Sequence, residues 1–115
     1  MNKNRIAGTA FWALFAAFLL FPVHPAHAVE EVRIVIKDHK FEPSEVRVPA
    51  GVKINLIVVN EDPSPEEFES HSLNREKVIQ GGKTATIKLP KLKPGKYDFF
   101  GEFNPETAQG VIIAE

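Results

Sequence analysis

Two short stretches of this chain hold side chains that can bind a metal ion or move a proton. In the first, Glu61, Asp62, Glu66, Glu67 and Glu69 place five acids in nine residues. His71 follows, and no lysine or arginine stands between Lys53 and Arg75 to offset the charge. Crowding like charges costs stability, and a long stretch without a strong strand pattern is more often functional than incidental in a compact domain. The second stretch, Phe100-Gly101-Glu102-Phe103-Asn104-Pro105-Glu106-Thr107, interrupts an apolar run with Glu102 and Asn104, which an alternating strand end places on one side. Carboxylate with imidazole suits iron, manganese or copper(II), and carboxylates in particular favour the harder ferric ion. Each stretch also has an ordinary explanation: a solvated acidic loop for the first, a strand running out into a polar turn for the second.

Other chemistry is thinly supplied. Ser70 and Ser72 flank His71, but no nucleophile elbow or oxyanion-hole motif accompanies them. Paired carboxylates such as Glu67 and Glu102 would need a deep cleft to act as acid and base on a substrate, and so short a chain leaves little room for one. His39 stands beside Asp38 in a turn and reads as one half of a hydrogen-bonded pair.

The elements that must position these groups are strands. Val32, Ile34 and Ile36 alternate with charged neighbours, and Glu45-Val46-Arg47-Val48 repeats the pattern after Pro43-Ser44; both have the period of a half-buried strand. Lys53 to Asn60 is a β-branched run of the kind found in central strands, and Thr84 to Leu89 alternates again after Gly81-Gly82. After the turn dipeptide Pro94-Gly95 comes the aromatic strand Tyr97-Asp98-Phe99-Phe100, and Gly110 to Ala114 is the last apolar run. No long 3.6-residue pattern appears. About seven short strands without a repeat predict one all-β sandwich over residues 29–115.

Residues 1–28 read differently. Lys3 and Arg5 precede an almost unbroken apolar run from Ala7 to Val23, Pro22 and Pro25 interrupt it, and Ala26-His27-Ala28 follows. This is the order of a secretory signal peptide cleaved near Ala28-Val29, and the apolar run is shorter than the roughly 20 residues that anchor a chain in a bilayer. Its removal leaves 87 of the 115 residues and takes two of 14 basic side chains and none of the 15 acids, so the formal charge moves from −1 to −3. The mature chain keeps no cysteine and no methionine, and only His39 and His71 among histidines. Disulfides, common in small exported domains, are therefore absent, and the acidic balance argues against nucleic acid and anionic membrane as partners.

Lys37-Asp38-His39-Lys40-Phe41-Glu42-Pro43, then Val48-Pro49-Ala50-Gly51 and a hydrophobic strand ending in Asn60, resembles the opening of a cupredoxin domain. Leu92-Lys93-Pro94-Gly95-Lys96-Tyr97-Asp98-Phe99, a polar loop and a final Val-Ile-Ile strand resemble its close. Pro65-Glu66-Glu67-Phe68-Glu69-Ser70 and Gly101-Glu102-Phe103 are similar to the cupredoxin-like domain found with bacterial periplasmic iron-uptake systems. The resemblance implies a Greek-key β-sandwich in which the two polar stretches meet at one end. Glu66, Glu67, Glu69, His71, Glu102 and Asn104 are then the expected metal ligands, with Glu76 and Glu106 as secondary candidates. Asn104 is a departure, since histidine often stands there in that group. Type 1 copper is excluded, because it needs a thiolate that this chain does not have.

On this basis the expected function is that of a periplasmic metal-binding protein of a ferrous-iron uptake system. It would bind or oxidise iron in a ferroxidase-like manner and hand it to a membrane iron permease or other periplasmic uptake components. Two alternatives stand beside it: a copper(II)-binding protein or copper chaperone, and a metal-free interaction module. Carboxylates in both stretches favour iron over a copper carrier, which would be expected to keep methionine or more histidine.

Overall fold

The computed structural model describes residues 28–115, so the expected signal peptide lies outside them apart from Ala28. Among the described residues the chain forms nine strands: β1 (Glu30–Lys37), β2 (Lys40–Glu42), β3 (Glu45–Val48), β4 (Ile54–Asn60), β5 (Glu66–Ser70), β6 (Arg75–Ile79), β7 (Thr84–Leu89), β8 (Gly95–Gly101) and β9 (Gln109–Ala114). They divide into a four-stranded sheet, ordered β2-β1-β4-β7, and a five-stranded sheet, ordered β3-β9-β8-β5-β6. Strands β1 and β4 pair in parallel, as do β3 and β9; the other pairings are antiparallel.

The expected all-β sandwich is what forms, with nine strands rather than about seven. Beyond the six strands located by alternation or apolar runs, the structure adds the three-residue β2 and, more consequentially, the hairpin β5–β6 in the segment between Asn60 and Lys77 that lacked a strand signal. Its alternation exists but is disguised. Positions 66, 68 and 70 of β5 face inward as Glu66, Phe68 and Ser70, all buried, and only one of the three is apolar.

Inward-facing side chains of both sheets make one core. Ile34, Ile36, Leu56, Val58, Ile87 and Leu89 come from the first sheet, and Val46, Val48, Phe68, Phe99, Ile112 and Ala114 from the second. Phe41 of β2 crosses between the layers. Its ring meets Phe68 edge-on at 6.1 Å and Phe99 edge-on at 5.0 Å, while Phe68 and Phe99 stack at 5.1 Å. Such offset and edge-to-face arrangements suit the ring quadrupoles. Because Phe68 is held in this trio, β5 cannot rotate, and Glu67 and Glu69 on its other face are fixed toward the outside.

Polar side chains hold the approach to β5. Asn60, 1% exposed at the end of β4, donates from its amide to Ser64 O (2.9 Å) and Ile79 O (3.0 Å) and accepts from Asp62 N (3.0 Å). Asp62 then accepts from the backbone N–H groups of Asp38 (2.8 Å) and His39 (3.0 Å), two turn residues with positive φ. Half-exposed His39 thus belongs to a turn gripped by Asp62, and its carbonyl accepts from Thr107 Oγ1 at 2.7 Å, which ties that turn to the β8–β9 loop.

Candidate metal centre

The alternation of β5 splits its three acids. Glu66 turns inward; Glu67 and Glu69 turn outward. In the antiparallel register with β6, Glu69 stands opposite Glu76 and Glu67 opposite Val78; on the other side Glu69 stands opposite Phe100 of β8. Residues directly opposite share a face, so Glu67, Glu69 and Glu76 converge. One carboxylate oxygen from each of the three lies within 4.8 Å of the others. Glu102 follows the end of β8, and its N–H donates to Glu67 O at 2.9 Å, which brings a fourth acid to the same face.

No lysine or arginine pairs with this group among the described residues. Arg75, next to Glu76, spends its guanidinium on the carbonyls of Lys88 (2.9 Å), Leu73 (3.3 Å) and Asn74 (3.0 Å). The acids respond by holding protons. A hydrogen bond with Glu76 pushes the Glu67 carboxyl up to about 7, assisted by burial and by the charges of Glu76, Glu69 and Glu102. Burial also raises Glu69, helped by a hydrogen bond with Glu102 and by the charges of Glu102 and Glu76, while His71 opposes the shift. Carboxylates this close cannot all ionise unless a cation joins them.

His71 lies in the exposed β5–β6 turn, its ring 5.5 Å from that of Phe100. It lines an open depression with Glu69, Ser70, Asn74, Arg75 and Glu76, at the rim of the acidic group. Ser70 faces the other way and donates to Asp98 O at 2.6 Å, a structural bond.

The structure therefore brings Glu67, Glu69 and Glu102 together and puts His71 at their edge. Glu66 and Asn104 lie apart from that face and bind each other, Asn104 Nδ2 donating to Glu66 Oε2 at 2.6 Å. Glu106 is exposed and outside the group. Glu76, only a secondary candidate by sequence, is a full member. The signal for it was the symmetry of Glu69 and Glu76 about the turn His71 to Asn74, readable only once both flanks are taken as strands.

Residues 10–114 match the family model described as cupredoxin-like domain. A curated relative, an uncharacterized protein of Rickettsia prowazekii (strain Madrid E), is 55% identical over 119 residues, covering 98% of this chain and 95% of its own. Among solved structures, auracyanin A, a blue copper protein from Chloroflexus aurantiacus, superposes with a TM-score of 0.67 at 13% identity, over 76% of this chain and 100% of that one. The metal-binding domain of the Streptococcus pneumoniae D39 Cu(I)-exporting P-type ATPase CopA, solved with Cu(I), gives 0.69 at 13% identity, over 81% and 90%.

Proposed function

Because this chain belongs to the family of cupredoxin-like domains, we propose that it has kept the family's sandwich as a metal-binding scaffold and exchanged soft ligands for carboxylates. With no cysteine anywhere in the sequence it has no type 1 copper site. The observation that carries the proposal is the outward group Glu67, Glu69, Glu76 and Glu102, four acids on one face with no lysine or arginine paired to them among the described residues. Its donor chemistry fits a hard cation. Oxygen ligands of net negative charge stabilise a 3+ ion more than a 2+ ion, which favours retention of ferric iron over ferrous.

The reading that best accounts for this set is a periplasmic component of a ferrous-iron uptake system. The chain is exported, cleaved near Ala28-Val29, and passes iron as cargo to a membrane permease. The leader pattern supports the location, and the acidic face supports the cargo. Copper(II) is the second reading. His71 beside Glu69 offers the imidazole that copper(II) prefers, and the solved relatives named above are copper proteins.

Calorimetric titration of the mature, metal-stripped protein decides between them. Ferrous iron under anaerobic conditions, ferric citrate, copper(II) and manganese(II) are each offered to the wild type and to a Glu67→Gln, Glu102→Gln double variant. Saturable binding that the variant loses is the expected result, with the preferred ion choosing the reading. Equal heats from both proteins for every ion would remove the metal site and leave the acidic face as a docking surface.

A further inference from the structure

Glu66 is 2% exposed, and no basic side chain pairs with it among the described residues. Three donors surround it. Its Oε1 accepts from the N–H of Glu67 (3.0 Å) and of Phe103 (2.9 Å), and its Oε2 from Asn104 Nδ2 (2.6 Å). A carboxylate suits this place because it is acceptor-only on both oxygens. Two of its donors belong to the β8–β9 loop, and they come directly after Glu102 in sequence.

That loop is braced on Asn104. Asn104 N donates to Gly101 O (3.1 Å), the N–H groups of Thr107 (3.2 Å) and Ala108 (2.9 Å) donate to Asn104 O, and Gly101 N donates to Ala108 O (2.8 Å). Gly101 lies directly over the Glu66 carboxyl: a Cβ there would stand 2.6 Å from Glu66 Cδ and 2.7 Å from the Ala108 methyl, so only glycine fits. Phe103 is left 48% exposed, so its side chain contributes little to holding the loop. The attachment near Glu102 consists of Glu102 N to Glu67 O on one side and Phe103 N to Glu66 Oε1 on the other.

We propose that Glu66 is not a ligand but the positioning residue of the acidic face: through Phe103 N and Asn104 Nδ2 it holds the loop so that Glu102 stands with Glu67 and Glu69. Asn104 then serves as the donor for this clamp, which gives an amide at this position a purpose other than metal ligation. The consequence for binding rests on the metal-centre reading above; the clamp itself does not.

A charge-swap cycle tests it. Asn104→Asp sets a second acceptor against Glu66 and should release the loop. Combining it with Glu66→Gln restores one donor and one acceptor at the same two positions, while the glutamine oxygen still accepts from Glu67 N and Phe103 N. Copper(II) and manganese(II) titrations should show Asn104→Asp weakening binding about 10- to 100-fold, the scale for residues that orient ligands, with the double variant recovering it. In the Asn104→Asp background, Glu102→Gln should cost nothing further, because Glu102 is already displaced. If Glu102→Gln keeps its full effect there, the proposal is overturned, even when Asn104→Asp lowers the melting temperature. If Asn104→Asp does not fold, Glu66→Gln alone, which preserves volume, enters the same cycle.

Amide hydrogen exchange separates the clamp from the metal reading. Glu102 and Phe103 N–H should be protected in the metal-free wild type and in the swap, and exposed in Asn104→Asp. A wild type that binds none of ferrous iron, ferric citrate, copper(II) and manganese(II) yet shows this pattern sinks the metal centre and keeps the clamp. Unchanged exchange at both amides in Asn104→Asp overturns the clamp whatever the metal result.

Discussion

Glu67 is the residue at which the electrostatic argument can be checked most directly. Its carboxyl titrates near 7 in the folded protein against an ordinary 4.5. Between those values the native state holds a proton that the unfolded chain releases, so stability falls as pH rises through that window. Urea midpoints of the metal-free protein from pH 4.5 to 8 should therefore decline more steeply for wild type than for Glu67→Gln, which cannot ionise; parallel curves would show that the carboxyl is not held up. Legibility was uneven at this scale. Glu67 and Glu69 stood out in the sequence as acids without a nearby base, and Glu102 as a charge interrupting an apolar run. Glu66 carries the same functional group one residue away, and only the facing of β5 distinguishes its role. The partner that explains Asn104 lies 38 residues earlier in the chain, beyond the reach of any local pattern.

At the scale of elements, the β5–β6 hairpin decides whether there is a site at all. The strands β1, β3, β4, β7, β8 and β9 were visible as alternation or as apolar runs. The hairpin was not, because its outer face is acidic and its inner face mixes Glu66, Phe68 and Ser70. What holds its entry is Asn60, which bonds both the preceding loop at Ser64 and the end of β6 at Ile79. Asn60→Ala leaves Asp62 N, Ser64 O and Ile79 O without that partner, and should cost about 1–3 kcal/mol in urea denaturation. Metal binding should weaken along with it, since the register of Glu69 against Glu76 depends on the same anchor. A variant with wild-type stability would show that water substitutes for the amide and that the anchor is dispensable.

Across the whole molecule, the two sheets are joined by a core whose aromatic centre is Phe41, Phe68 and Phe99. Phe99→Ala should cost about 3–5 kcal/mol, a large share of what a domain this small possesses. Chemical denaturation would detect it, and a loss below 1 kcal/mol would mean that the neighbouring rings collapse into the space. The sandwich architecture could be read from strand spacing and turn residues, whereas the parallel closure of β3 on β9 could not, because pairing across 66 residues leaves no trace in local periodicity. The order of the five-stranded sheet also carries a consequence for solution behaviour. β6 is one of its two edge strands, and an open edge offers free peptide groups to any other chain that can align with it. Two copies meeting edge to edge would bring two sets of carboxylates into the same narrow space, and mutual repulsion would oppose that pairing. Acidification, or a cation that neutralises those carboxylates, would remove this opposition and leave the edge open to pairing.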